Sequence, residues 1–168
     1  MLLSLLVGGT ISTGPASAAP VVLRPTFVSA PVGIDADDPA IWHRGRLTRI
    51  VGTDKDEDKG GLAVYDLQGR IVQRIDGLRR PNNGDVEYGL AEIGDVYVCA
   101  ERKSDRLRVF RVAPDGTLAD VTGETATVEE PMGLSLYRRP KDGAIFAVVS
   151  PKTGPATGYL AWYRLTPR

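Results

Sequence analysis

Short segments in which apolar and polar residues alternate dominate this chain of 168 residues. One of these segments recurs: Val64-Tyr65-Asp66-Leu67 is repeated as Val109-Phe110-Arg111-Val112 and as Trp162-Tyr163-Arg164-Leu165. The copies end at residues 67, 112 and 165, and a leucine precedes each of them at the same offset. Repeats of about 40 to 50 residues built from short strands are typical of β-propeller blades. The pattern therefore predicts a repetitive all-β fold.

The alternation predicts eleven strands in three units, and no segment has the periodicity of a helix. The predicted strands are 39–42, 47–53, 62–67 and 70–75 in the first unit, 86–90, 96–100, 107–112 and 118–121 in the second, and 133–137, 144–150 and 159–165 in the third. Gln68-Gly69 and Pro114-Asp115-Gly116 are the clearest hairpin turns. Closed propellers contain about four to eight blades. We therefore predict an all-β protein with about three blades of a β-propeller, which form an incomplete ring.

The first twenty residues have the features of a leader. Residues 2–9 are apolar but too few to span a bilayer, and Ala16-Ser17-Ala18 fits the small-x-small pattern of a cleavage site. We predict a signal peptide at 1–20 and an exported domain, secreted or periplasmic, at 21–168, with no membrane span. A disordered tail is the alternative interpretation of 1–20. The one cysteine, Cys99, leaves the domain without an internal disulfide.

Charge and composition narrow the class of function. The 21 basic and 21 acidic side chains give a net charge of zero, which argues against a nucleic-acid-binding protein, because such proteins carry a basic excess. A hydrophobic content of 42% with 25% charged residues is that of a soluble globular domain. The residues predicted to pack inside the blades include Cys99, Trp42, Tyr65, Phe110 and Trp162.

The candidate chemistry starts with two adjacent carboxylates, Asp37 and Asp38, directly before Pro39. A proline restricts the residue before it to extended geometry, so the pair is held in place. Neighbouring carboxylates repel each other unless a cation lies between them, and hard cations such as calcium prefer oxygen ligands. The pattern indicates a cation site. The alternative is an Asp-Pro turn with solvated aspartates.

These carboxylates begin a series of short motifs that runs in order through almost all of the sequence after residue 33. The motifs are Asp37-Asp38-Pro39-Ala40-Ile41-Trp42, Thr53-Asp54-Lys55, residues 61–69, residues 81–86, Glu101-Arg102, Gly133-Leu134-Ser135-Leu136-Tyr137 and Lys152. Together they resemble the β-propeller phytases, which are calcium-dependent 3-phytases. The resemblance implies a six-bladed propeller, of which this chain is the N-terminal half.

The resemblance also implies a reaction. Members of this family are phosphomonoesterases that release phosphate from myo-inositol hexakisphosphate (phytate), with calcium ions that activate a water for direct attack on the ester. Such a protein would act on this small polyphosphate as a monomer. The acidic residues that supply most of the family's calcium ligands lie in later blades, so we expect this chain alone to lack most of the catalytic power. Met132 replaces a tyrosine that often contacts phosphate in the family.

Carried over position by position, the resemblance assigns Asp37 to the catalytic calcium cluster. Asp38 and the carbonyl groups of Pro39 and Gly84 would bind a neighbouring calcium. An arginine with its planar fork and two lysines as point charges would bind phosphate oxygens. These three cations are Lys55, Arg102 and Lys152.

Each assignment has a simpler alternative. Lys55 lies in a highly charged loop, where it would be one solvated charge among several. Arg102 would pair at the surface with Glu101 or Asp105, and residues 82–85 would be a plain turn. For the whole protein, the alternatives are a non-catalytic propeller that binds a ligand, and a propeller hydrolase for another ester such as a sugar phosphate or a lactone. An oligomer that closes the ring is the alternative to a longer chain.

Overall fold

Eleven β-strands and one short 3₁₀ helix form the regular structure of residues 21–167, the part of the chain that this computed structural model describes. The predicted signal peptide at 1–20 lies outside the described residues. The strands are β1 (Ala36–Arg44), β2 (Leu47–Asp54), β3 (Gly60–Tyr65), β4 (Ile71–Leu78), β5 (Pro81–Leu90), β6 (Gly94–Glu101), β7 (Arg106–Val112), β8 (Leu118–Asp120), β9 (Pro131–Arg138), β10 (Ile145–Pro151) and β11 (Ala161–Arg164). The 3₁₀ helix, Arg102–Ser104, connects β6 to β7. Within residues 21–167, no helix has the length and apolar character needed to cross a membrane.

Three antiparallel sheets contain these strands in chain order. Sheet 1 has the order β1-β2-β3-β4, sheet 2 the order β5-β6-β7-β8, and sheet 3 the order β9-β10-β11. Every predicted strand overlaps an observed one, which confirms the all-β prediction. The alternation is informative because successive side chains of a strand face opposite sides of its sheet, and here one side faces a neighbouring sheet.

Glycines close the two hairpins that the sequence marks most clearly. Gly69, between β3 and β4, has a φ of +73°, and its amide donates to the Asp66 carbonyl at 3.0 Å. Gly116, between β7 and β8, has a φ of +80°, and a Cβ atom there would lie 2.4 Å from Cγ of Arg49. Positive φ is costly for residues with a Cβ atom, so both turns favour glycine.

One predicted turn is a strand in the structure. Residues 82–85 lie inside β5, where Gly84 is paired with β6. The turn interpretation is therefore wrong. Contacts with β1 override the local preference for a turn, because Asn82 and Gly84 bond to the carboxylates of Asp37 and Asp38.

The first strands of the three sheets lie side by side and run in the same direction. β1 contacts β5, and β5 contacts β9. Between β1 and β5, hydrogen bonds join Asp37 to Asn82 and, further along both strands, His43 to Tyr88. Between β5 and β9, they join Asp85 to Leu136 and, further along, Glu87 to Arg138. The starts of β1, β5 and β9 therefore lie at one end of the molecule, which we call the upper end.

Two apolar clusters fill the spaces between the sheets. The cluster between sheets 1 and 2 includes Trp42, Val64, Tyr97, Phe110 and Leu118, and the cluster between sheets 2 and 3 includes Val98, Leu107, Val128, Ala147 and Val149. The core positions predicted for Cys99, Trp42, Tyr65 and Phe110 are confirmed, because all four are buried. The prediction for Trp162 is wrong, because its side chain is 59% exposed at the edge of sheet 3.

Asp95 joins sheets 1 and 2 at the end opposite the upper end, and the sequence predictions do not include it. Its Oδ2 accepts a hydrogen bond from Nε1 of Trp42 at 2.9 Å. Its Oδ1 accepts from Nη2 of Arg44 at 2.9 Å and from the amide of Gly89 at 3.1 Å. These three donors satisfy a buried carboxylate and fix the relative positions of β1 and β5.

Candidate functional site

At the upper end, the first strand of each sheet starts beside the end of the second strand. The residues paired there are Ala36 with Asp54, Pro81 with Glu101, and Pro131 with Pro151. The residue that follows each second strand is one of the three predicted phosphate-binding cations, Lys55, Arg102 and Lys152. These cations therefore occupy the same position in three different sheets.

The same backbone hydrogen bond holds each of these cations. The amide donates to the carbonyl of the residue directly before the first strand: Lys55 to Asp35 at 2.8 Å, Arg102 to Arg80 at 3.2 Å, and Lys152 to Glu130 at 3.0 Å. Arg80 and Glu130 have φ values of +53° and +38°, which are uncommon for residues with a Cβ atom. Strained backbone of this kind clusters at functional sites. The repeated geometry indicates that the fold presents basic residues at the upper end.

Asp37 lies between a cation and a side-chain amide. Nζ of Lys55 donates to its Oδ1 at 3.1 Å, and Nδ2 of Asn82 donates to its Oδ2 at 3.1 Å. About three quarters of the Asp37 and Lys55 side chains is removed from solvent. The structure thus brings Asp37 and Lys55 together, and the interpretation of Lys55 as one solvated charge among several in its loop is wrong.

Asp38 is fixed through both its backbone and its carboxylate. Its amide donates to Oγ1 of Thr53 at 2.9 Å, and its Oδ2 accepts from the amide of Gly84 at 3.2 Å. Pro39 is the next residue in β1 and pairs with Gly52 of β2. The interpretation of Asp38 as a solvated turn residue is wrong, because it is part of a strand and bonds to two neighbouring strands. The carbonyl roles predicted for Pro39 and Gly84 stay predictions.

Arg102, at the corresponding position of sheet 2, is buried, with 6% of its surface exposed. Its Nε is enclosed without a hydrogen-bond partner among the described residues. The acid that precedes it, Glu101, instead pairs with Arg106 and Arg108, and Asp105 accepts a bond from a backbone amide. The predicted surface pairing of Arg102 with Glu101 or Asp105 is therefore wrong. Nε of its guanidinium group is therefore a donor without an acceptor among the described residues.

Lys152 lies in an exposed loop after β10. Its backbone position matches those of Lys55 and Arg102, but within residues 21–167 no ion pair holds its side chain. The side chain of Met132, on the neighbouring strand β9, is 36% exposed. The backbone of Lys152 therefore lies at the upper end, and the residue is exposed.

Asn82 is part of this site, although the sequence predictions assign it no side-chain role. It is 1% exposed, and its Nδ2 donates to Asp37. Its Oδ1 is buried without a hydrogen-bond partner in the described part of the chain. A buried acceptor without a donor costs free energy, so this oxygen is a candidate ligand for a cation.

Glu101 makes the stability of this end depend on pH. Burial by itself would raise the pKa of Glu101, but bonds from Arg106, the Arg79 amide and Arg108 outweigh it, so the pKa lies below its usual value. The unfolded chain titrates near the usual glutamate value of about 4.3, so this contribution to stability is present above that pH. It is lost as the pH falls through the lower pKa of the folded state.

We therefore expect Glu101→Gln to lower the free energy of unfolding most near neutral pH and least in acid. Urea unfolding of the wild type and the variant, measured from neutral pH to below pH 4, checks this expectation, since the two curves should converge in acid. Glu129→Gln, at an exposed position, serves as the control. A constant difference between wild type and Glu101→Gln at all pH values would contradict the assignment.

The metal-binding groups of this end are few among the described residues. No group of three or more His, Cys, Asp or Glu side chains in residues 21–167 is arranged to hold a metal ion. Among the oxygen atoms at the upper end that a cation could use are the carboxylates of Asp37 and Asp38 and Oδ1 of Asn82. These are hard ligands, which are of the type that calcium prefers.

Known sequences resemble this chain over most of its length. A family model described as Phytase matches residues 25–162. The 3-phytase of Bacillus subtilis (strain 168) is 31% identical over 137 residues, which cover 74% of this chain and 35% of that protein. The chain thus spans about a third of the length of this relative. Because the family model matches most of the sequence, the chain belongs to the phytase family.

Proposed function

We propose that this chain is the N-terminal part of a calcium-dependent phosphomonoesterase that releases phosphate from phytate. The observation that carries the proposal is the placement of Lys55, Arg102 and Lys152 at equivalent positions of three sheets, with Lys55 bonded to the Asp37 carboxylate. Membership of the phytase family supports a phytate-hydrolysing function in general. The basic residues and the carboxylates supply the two kinds of group that a metal-assisted phosphatase needs.

The three sheets are proposed to be three blades of a six-bladed β-propeller. Two features support this proposal. In each sheet the strands are antiparallel and follow one another in chain order, and the first strands β1, β5 and β9 lie side by side and run in the same direction. In a propeller the first strand of each blade lines the central channel. The upper end would then be the mouth of that channel, where a polyphosphate could contact several blades at once.

Phosphate binding follows from the charge and shape of the cations. Phytate carries many phosphate groups, so a site for it needs several positive charges at fixed positions. Arg102 has a buried guanidinium whose Nε has no partner within residues 21–167, and a phosphate oxygen would satisfy it. Lys55 adds a point charge held beside Asp37, and Lys152 adds an exposed charge that is free to adjust.

Calcium binding is proposed from the oxygen atoms that the site provides. Nδ2 of Asn82 donates to Asp37, while Oδ1 of Asn82 is buried without a donor among residues 21–167, and a cation would satisfy it. Asp37 and Asp38 would contribute carboxylate oxygens, and Pro39 and Gly84 their carbonyl oxygens. Calcium takes six to eight oxygen ligands, so these residues fit it as part of a larger set. When bound, calcium would supply positive charge that polarises the phosphate ester and lowers the pKa of a water.

The proposal is tested by phosphate release from phytate with the complete translation product. We expect release in millimolar calcium near neutral pH, loss of release when a chelator removes calcium, and strong loss in Asp37→Asn/Asp38→Asn. Unfolding curves and circular dichroism show whether the variant is folded. A folded wild-type protein that releases no phosphate in the presence of calcium would overturn the proposal.

A non-catalytic phosphate-binding module is the second candidate. It is favoured by the absence of a group of three or more metal-binding His, Cys, Asp or Glu side chains in residues 21–167 and by Met132. Calorimetric titration with phytate separates the two functions: binding without turnover supports this candidate, and binding with turnover supports the phytase.

An extracytoplasmic location is also proposed, on the basis of the leader-like residues 1–20, and cell fractionation would test it.

A further inference from the structure

Two buried acidic residues directly precede two of the candidate phosphate-binding cations. Asp54 precedes Lys55, and Glu101 precedes Arg102. The acids are 6% and 1% exposed, respectively. Charged groups are rarely buried to this extent unless specific partners hold them. The partners of Asp54 and Glu101 therefore indicate what these acids do.

The carboxylate of Asp54 accepts hydrogen bonds from two backbone segments, residues 34–35 and residue 56. Its Oδ2 accepts from the amide of Ile34 at 2.8 Å, and its Oδ1 accepts from the amides of Asp35 at 2.9 Å and Asp56 at 3.2 Å. A Cβ atom on Gly33 would lie 1.9 Å from Oδ2, so the chain passes directly over the carboxylate. Asp54 thus fastens the segment that leads into β1 to the loop that leaves β2.

Glu101 makes the equivalent connection in sheet 2. Its Oε1 accepts from the amide of Arg79, in the segment that leads into β5, at 2.8 Å. Its Oε2 accepts from Nε of Arg106 at 2.7 Å and from Nη1 of Arg108 at 3.2 Å. A carboxylate at the end of the second strand therefore holds the start of the first strand in both sheets.

Sheet 3 keeps the connection but takes its carboxylate from a neighbouring sheet. Pro151 occupies the position of the acid, and it has no side-chain acceptor. Oδ1 of Asp105, which follows the 3₁₀ helix of sheet 2, instead accepts from the amide of Glu130 at 2.9 Å. In each sheet a carboxylate thus holds the backbone just before the first strand.

Neither acid neutralises the cation beside it. The oxygens of Asp54 are occupied by backbone amides, and Lys55 pairs with Asp37. The oxygens of Glu101 are occupied by one amide and two arginines, and Nε of Arg102 has no partner in the described part of the chain. The acids are therefore placed to organise the backbone and do not neutralise the cations beside them.

We propose that Asp54 and Glu101 are positioning residues for phosphate binding, through Lys55 and Arg102 respectively. The inference rests on the proposed function above. Each carboxylate fixes the segment whose carbonyl, at Asp35 or Arg80, accepts the amide of the cation. Loss of the carboxylate charge loosens that segment and lets the cation move away from the phosphate oxygens.

The test compares Asp54→Asn with a matched control, Asp66→Asn. Asp66 is also a carboxylate that holds backbone amides, those of Gln68 and Arg70 at 2.9 Å each, but it lies in the β3–β4 hairpin at the opposite end of sheet 1. We expect Asp54→Asn to raise the Kd for phytate about tenfold, as for loss of one charge-assisted hydrogen bond. Asp66→Asn should lower Tm without changing that Kd.

A second readout needs no ligand. Asp54→Asn should accelerate amide hydrogen exchange at Ile34 and Asp35 and shift the NMR signal of the Lys55 ammonium group. Asp66→Asn should change neither signal. If Asp54→Asn does not fold, Glu101→Gln is used in its place, with the Arg79 amide and the Arg102 guanidinium as reporters.

The outcomes separate this inference from the proposed function. A wild-type protein that neither binds nor hydrolyses phytate overturns the proposed function, while the exchange and NMR data still decide the positioning role. Equal Kd values for the Asp54→Asn and Asp66→Asn proteins, with unchanged signals from Lys55, overturn the positioning role. A raised Kd and a shifted Lys55 signal in Asp54→Asn alone support it.

Discussion

Replacing Arg102 with alanine is expected to lower kcat/KM for phytate by about 10²- to 10³-fold, the usual loss when one preorganised donor to a developing anion is removed. The guanidinium is buried at the upper end, and its Nε has no partner among the described residues. A phosphate oxygen is the acceptor that we propose for it. Arg102→Lys should lose less activity, because it keeps the charge and loses the planar fork.

The stability of Arg102→Ala distinguishes a role in binding from a role in folding. Two effects oppose each other: the variant loses packing of the aliphatic stem, but it also removes a buried donor that has no partner. We therefore expect Tm to change little while activity falls. Arg111→Ala, at an exposed position of β7, is the control and should change neither quantity. Wild-type kcat/KM in Arg102→Ala would contradict the assignment.

Replacing Gly84 with alanine should lower the free energy of unfolding by about 1–3 kcal/mol, the typical cost of overpacking a core. A Cβ atom at this position would lie 2.1 Å from Oη and 2.5 Å from Cζ of Tyr97. Tyr97 is fully buried, so its ring has no open space to enter, and β5 would have to move. Gly123→Ala is the control, because nothing lies within 4 Å of a Cβ atom there.

The same substitution should also weaken the candidate cation site. The amide of Gly84 donates to Asp38, and a shift of β5 would lengthen that bond. We expect a lower calcium affinity in Gly84→Ala, measured by titration calorimetry, together with a lower urea midpoint. Adding Tyr97→Phe removes the Oη contact, the shortest of three contacts below 3.0 Å, and should restore part of the stability. A Gly84→Ala protein with the wild-type midpoint would contradict this packing.

The strands could be predicted because each of them has a face that is buried against a neighbouring sheet. Alternation therefore located the strands, and the glycine turns at Gly69 and Gly116 separated the hairpins correctly. The start of β5 was missed because Asn-Asn-Gly-Asp has a strong local preference for a turn. Contacts with β1 decide that segment, and they depend on how the sheets pack, which local preference does not reveal.

The polar connections between sheets could not be predicted for a related reason. Asn82 and Asp37 are 45 residues apart, and Trp42 and Asp95 are 53 residues apart. No local pattern identifies such pairs, because each depends on the relative position of two sheets. Family resemblance pointed to the Asp37 and Asp38 region but assigned Asn82 no side-chain role. The burial of Asn82, and an Oδ1 without a partner in the described structure, become visible only when β1 and β5 are placed side by side.

The similar positions of the three cations in their sheets could have been predicted from the sequence. Residues 55, 102 and 152 are spaced almost as widely as the repeated segments that end at 67, 112 and 165. Lys55, Arg102 and Lys152 lie 12, 10 and 13 residues before the ends of the repeated segments, so alignment of the repeats would place them at nearly matching positions. The roles of Asp54 and Glu101 were hidden, because an acid next to a base in sequence suggests an ion pair and the structure shows other partners.

The most direct test of this account is a crystal structure of the protein with calcium and inorganic phosphate. We predict calcium bound to the carboxylates of Asp37 and Asp38 at about 2.3–2.6 Å, the usual range for its oxygen ligands. We also predict phosphate oxygens within hydrogen-bonding distance of Lys55 and Arg102. Phosphate bound elsewhere, with Asp37 and Asp38 free of calcium, would contradict the account.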